Sequence, residues 1–188
     1  MEGLNNLGTS ILDIKVGMQG VTLEIPEDIK DLIYRTWLPA LMAATFEAVK
    51  ALPPKHRAAV LKSVCVTCED MAMAGALGIQ PGMSWDEYLK FVKTAPPPVG
   101  PWTIRQKGNV FDLTYDASVG KDGKPLCHCP FVLLGIREPL PECCDSGARL
   151  AGKMIASATG KTVAKTEVID SPCRTGASVC HYRVRLKK

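Results

Sequence analysis

Between residues 25 and 95 the apolar positions recur at helical spacing, and beyond residue 101 they alternate. Ile29, Leu32, Ile33, Thr36 and Trp37 fall on one helical face, and Pro26, Glu27 and Asp28 suit the N-terminus of that helix. Pro39 should kink or break it, because proline has no N–H for the helical ladder. A second helix is expected from Lys55 to Ala76, after Pro53-Pro54 and before the stop signal Leu77-Gly78. A third opens on the capping-box spacing Ser84-Trp85-Asp86-Glu87. Past the proline-rich stretch 95–101, Trp102–Arg105 and Val110–Tyr115 flank Lys107-Gly108-Asn109 and predict a hairpin. A helix from Asp145 to Thr159 stopped by Gly160, then strands over Thr162–Ile169 and Ser178–Leu186, complete the pattern. Helices first and strands later indicate an α+β fold, with N-terminal helices packed on a mostly antiparallel C-terminal sheet that carries one further helix.

The length of 188 residues suits a single domain, read as a helical subregion 1–95, a proline-rich linker 96–101 and an α+β ligand-binding subregion 102–188. Lys plus Arg number 23 against 19 Asp plus Glu, and the resulting +4 is too small and too dispersed to imply nucleic acid. The apolar stretch Thr36–Phe46 contains Pro39 and is too short for a membrane span. Met1–Ser10 lacks the basic and apolar regions of a secretory leader, so a cytoplasmic location is expected. In such a reducing compartment the eight cysteines are expected as thiols, and clustered thiols there hold metal more often than they form disulfides.

The candidate metal ligands are Cys65, Cys68, Cys127, Cys129, Cys143 and Cys144. Cys65 and Cys68 are three apart on the second helix and so share a face, the alternative being two small residues filling a core. Cys127 and Cys129, two apart in an extended segment, should also share a face, with His128 on the other side. Cys143 and Cys144 stand just ahead of a helix whose N-terminal dipole favours thiolates. Thiolates select zinc, copper(I) or an iron-sulfur cluster over hard cations, and zinc or an iron-sulfur cluster is the expected occupant. Docking of helix 55–76 on the sheet would join the groups. Cys180 reads as core by alternation, and Cys173 as a weaker candidate. His56 and His181 read as solvated or on a polar strand face. His128 and Asp145 are the candidate groups for proton transfer. No P-loop, dinucleotide-binding glycine pattern or Ser-His-Asp order occurs. Trp102, Phe111, Tyr115 and Phe131 can line a pocket or fill a core.

Cys129-Pro-Phe131, Cys143-Cys-Asp145 heading a helix, the strand Gly160–Glu167 and the closing strand Cys180–Val184 together resemble the hydrocarbon-binding, vinyl-reductase-type domain. Its relatives include the aminothiazoline-carboxylate hydrolase-like proteins. The resemblance spans residues 102 to 188 and implies an α+β ligand-binding fold with cysteines beside a small-molecule cavity, Cys180 among them. The leading functional expectation is a small-molecule-binding or sensing protein with a thiolate zinc or iron-sulfur site. The alternatives are a hydrolase of a cyclic amidine or other C–N bond, and a structural or partner-binding metalloprotein. The expected partners are a small ligand of apolar character and a second copy of the chain in a homodimer.

Overall fold

Proline and capping residues set the helix boundaries in the computed structural model, which describes residues 25–76, 82–95, 100–127, 129–133, 140 and 142–188. The described chain falls into two units, one of residues 25–37 and one of the described residues from 38 to 188. In the first, α1 (Glu27–Leu32) starts after Pro26 and carries the ion pair Lys30–Glu27 at 2.6 Å. A π-helical turn, Ile33–Trp37, follows. Pro39, where a kink or break is expected, is the second residue of the next helix, directly after this π-helical turn.

The second unit opens with α2 (Leu38–Lys50) and α3 (Pro54–Met71), the latter ending in a π-helical turn, Ala72–Ala76. In α4 (Trp85–Thr94) the capping box is complete: Ser84 Oγ accepts from the Glu87 N–H, and the Glu87 carboxylate accepts from the Ser84 N–H at 2.8 Å. Strands β1 (Thr103–Lys107) and β2 (Val110–Asp116) pair antiparallel across Gly108-Asn109, where Gly108 takes φ +60°. A two-stranded ribbon, β3 (Ser118–Val119) with β4 (Pro125–Leu126), leads to the short α5 (Pro130–Leu133). Then come α6 (Cys143–Thr159), β5 (Val163–Asp170), α7 (Pro172–Thr175) and β6 (Val179–Leu186). Gly160 ends α6 in the left-handed conformation at φ +66°.

The main sheet has the order β1-β2-β6-β5 and is antiparallel throughout. Phe111, Leu113 and Tyr115 of β2 pair with Val184, Tyr182 and Cys180 of β6, so one face of the two central strands is continuously apolar and buried. Asp112, His181 and Arg183 occupy the other face, where Asp112 binds His181 at 3.0 Å and Arg183 at 2.8 Å. Helix α6 covers the buried face with Ala148, Ala151 and Ile155, joined by Tyr88 and Val92 of α4. The approach is close because α6 has glycines where it meets the sheet. A Cβ at Gly152 would stand 2.7 Å from the Thr166 methyl, and one at Gly147 would overlap the Tyr182 hydroxyl.

The expected docking of the second helix on the sheet is corrected by the packing: α3 rests on α6, and α6 rests on the sheet. The bond between these helices is ionic at its centre. Glu69 of α3 is 1% exposed and meets Arg149 at 2.8 Å, Lys153 at 3.1 Å and the Ser146 hydroxyl at 3.0 Å. The four aromatic candidates are core. Trp102 stacks on Tyr115 with centroids 4.7 Å apart, Phe131 lies 4.6 Å from Phe46, and Phe111 meets Trp85 edge-on.

Candidate metal centre

Strand β4 ends at Leu126, and the next residue, Cys127, is buried. Cys144 is the second residue of α6, and Cys173 the second residue of α7. These three elements, distant in sequence, bring the sulfurs of Cys127, Cys144 and Cys173 within 4.8 Å of one another. Cys144 Sγ is 2.9 Å from Cys173 Sγ and 3.3 Å from Ser171 Oγ, and Ser171 is fully buried. The Ser171 hydroxyl also accepts from the Arg174 N–H at 3.2 Å, and this cap fixes the start of α7 and with it Cys173. Arg174 returns to α6 through an ion pair with Asp145 at 2.8 Å. Asp145, a sequence candidate for proton transfer, thus ties α7 to α6 beside the thiols.

The electrostatics favour one thiolate shared by several donors. Hydrogen bonds from Cys127 first, then Cys173, with smaller help from Ser171 and the Arg174 charge, bring the Cys144 thiol down to about 3 against its burial. Cys173 is driven up because it donates to Cys127 and Cys144. Cys127 is driven up mainly by donating to Cys144. Cys180, on the inner face of β6, is lowered by a hydrogen bond from Cys127 and so borders the same group. A region that already stabilises thiolate charge is suited to a soft cation.

A second set of thiols lies on the other side of the α6 start. Cys143 hydrogen-bonds Cys65 of α3, bringing Cys65 down to about 7 and raising Cys143. Both are buried in a small apolar cluster with Phe46, Val49, Leu61 and Phe131, and Cys129 packs against it. Burial pushes Cys129 up to about 12. Cys68 is half-buried and also raised by burial.

Four of the sequence candidates therefore meet differently from the expectation. Cys127 and Cys129 do not share a strand face: the strand has ended and Pro130 opens a helical turn, so Cys129 packs against the Cys65–Cys143 cluster as well as the main core, while Cys127 joins Cys144. Cys143 and Cys144 are inside the helix, not ahead of it, so successive side chains point to different neighbours. Cys173 and Cys180 were underweighted by local pattern, although Ser171-Pro172 before Cys173 is a helix-start signal that fixes the cysteine at a capped turn. His128 lies outside the described residues. His56 is exposed, and His181 is on the polar face, as expected.

A cavity of about 620 Å³ opens onto Cys127 and Cys173, with Leu126 and Val132 among its walls and Lys121 and Lys124 at the β3–β4 turn. The described residues include no helix long and apolar enough to cross a membrane. No protein-family model, curated protein or solved structure matches the chain.

Proposed function

We propose that this chain is a small-molecule-binding or sensing protein whose Cys127, Cys144 and Cys173 thiolates hold a single zinc ion. The observation that carries the reading is the convergence of three sulfurs within 4.8 Å from three separate elements. Thiolates on one tetrahedral zinc stand roughly 3.8 Å apart, given Zn–S bonds of about 2.3 Å, so a group held within 4.8 Å suits one ion once the 2.9 Å Cys144–Cys173 pair spreads. A four-iron cluster places each cysteine on a different iron and requires a wider set of sulfurs, which fits this group less well. Three protein ligands leave a fourth position, the arrangement of exchangeable rather than closed zinc sites, and the cavity reaches the ligands Cys127 and Cys173. Cys180 borders the group as a neighbour able to accept a hydrogen bond. The resemblance to the hydrocarbon-binding domain supports the same reading, since it implies cysteines beside a small-molecule cavity.

Metal analysis of protein purified without oxygen tests the proposal. About one zinc per chain is expected in the natural sequence, and far less in Cys173→Ser. Zinc content unchanged in that variant, or iron with acid-labile sulfide in place of zinc, would sink it. The open cavity also favours a second reading, a zinc-dependent hydrolase of a C–N bond. Turnover of a cyclic amidine by zinc-loaded protein, absent after chelation, would select that reading over sensing.

A further inference from the structure

The cavity beside the thiols has a charge pattern that the metal reading does not use. Its inner end is sulfur, from Cys127 and Cys173, and its walls include Leu126 and Val132. Its remaining charged lining comes from one tight turn, with Lys121, Asp122 and Lys124 all exposed. The turn is built: the Gly120 N–H donates to the Lys124 carbonyl at 2.8 Å, and the Gly123 N–H donates to the Gly120 carbonyl at 2.9 Å. Gly123 takes φ +76°, which a side chain would resist.

The one acid in the lining is partly committed to the turn. Asp122 Oδ1 accepts the Lys124 backbone N–H at 3.2 Å, and it lies over Gly120, where an added Cβ would come within 2.8 Å of it. The two ammonium groups carry no such engagement with the backbone in the turn. Two cations against one carboxylate leave the turn side of the cavity wall net positive, in a lining that also holds Leu126, Val132 and the Cys127 and Cys173 thiols.

We propose that this cavity takes a small organic anion, with its apolar body against Leu126 and Val132, its acid group at Lys121 and Lys124, and its other end toward Cys127 and Cys173. This inference names the ligand class of the centre proposed above and rests on that reading for its consequence at the metal, but not for its test. Neutral apolar molecules of equal size would fill the same walls and lack the charge contact. An exposed ammonium at about 6 Å from a carboxylate in water strengthens binding roughly threefold, so the discrimination is modest and salt-sensitive.

The test is an NMR titration of the full-length, isotope-labelled chain, reduced and freed of metal, with 3-phenylpropionate and with 3-phenylpropionamide. Zinc content is measured on the same preparation before chelation, so failure of the metal reading is recorded separately. The expected result is that the carboxylate shifts the amide signals of Gly120 to Cys127 and binds at least about threefold more tightly than the amide. That advantage disappears in Lys121→Ala/Lys124→Ala and shrinks in about 0.5 M salt. Should the double variant fold poorly, the salt dependence and Lys124→Gln alone carry the same comparison. Equal binding of acid and amide, no binding of either, or shifts confined to another part of the chain would overturn the proposal.

Discussion

Cys144 and Cys173 bring their sulfurs to 2.9 Å although 29 positions separate them in the chain. The contact joins the first turn of α6 to that of α7, whose start Ser171 caps, and the Arg174–Asp145 ion pair spans the same junction at 2.8 Å. It gives the proposed centre two of its three donors and predicts which substitutions disturb it.

Removing one of three soft donors should weaken zinc binding by roughly a hundredfold, since structural zinc sites draw about 10–16 kcal/mol from four ligands. Cys127→Ser, Cys144→Ser and Cys173→Ser are each expected to show this loss in a competition titration with a chromophoric chelator. Cys68→Ser, which changes a half-buried thiol on α3, should bind zinc like the natural chain. A Cys68 variant as weak as the other three would move the site toward α3.

Glu69 is the buried ionic link between α3 and α6, and its cationic partners are partly exposed, with side-chain exposures of 36% for Arg149 and 39% for Lys153. Glu69→Ala frees those cations to water, which moderates the loss, yet it removes charged hydrogen bonds and leaves a void. A destabilisation of about 2 kcal/mol is expected in denaturant unfolding. Lys153→Ala, which leaves the Arg149 contact in place, should cost clearly less.

The close approach of α6 to β6 yields a paired prediction. Gly147→Ala places a methyl against the Tyr182 hydroxyl and should destabilise the fold by about 1–3 kcal/mol. Tyr182→Phe removes the oxygen nearest to that methyl, so the double variant should recover part of the loss. Strictly additive costs in thermal melts of the single and double variants would refute the contact as the cause.

Asp112 gives a pH dependence on the polar face of the sheet. Hydrogen bonding from Arg183 first, with a further contribution from His181, holds its carboxyl below the usual range against the opposing effect of burial. A carboxyl lowered in the folded state stabilises above its unfolded pKa, and the contribution fades as pH falls through the folded value. The pair is about a third exposed, so the contribution is about 1 kcal/mol at most. Asp112→Asn should therefore lower the melting temperature at pH 7, and the difference from the natural chain should close as the pH is taken below the ordinary carboxylate range. A gap that persists at strongly acidic pH would mean that the substitution acts through something other than the charge.

What the sequence disclosed follows from how local each signal is. Ser84 and Glu87 complete their cap within four residues, and Gly108 and Gly160 fix their turns by backbone conformation alone, so the α4 start, the β1–β2 hairpin and the α6 end were legible. The inner face of β2 and β6 was legible because alternation is a local period. The thiol group was not, because its three members come from a strand end, a helix start and a short helix that only tertiary packing unites. Alternation also misled at Cys127 and Cys129: it assumes that a strand continues, and β4 stops one residue before the first of them. Pairing α3 with the sheet failed for a similar reason, since an amphipathic face shows that a helix is covered and does not name the element that covers it.

The spread of the donors over residues 127, 144 and 173 also sets when the centre can exist. A chain still being synthesised holds at most two of them until residue 173 has emerged, and the strand that completes the sheet, β6, follows only afterwards. Ion capture at the proposed centre would consequently be a late event in biogenesis, with the sulfurs unprotected through the earlier stages. Exposure to oxidants during synthesis should harm this chain more than the same exposure after release.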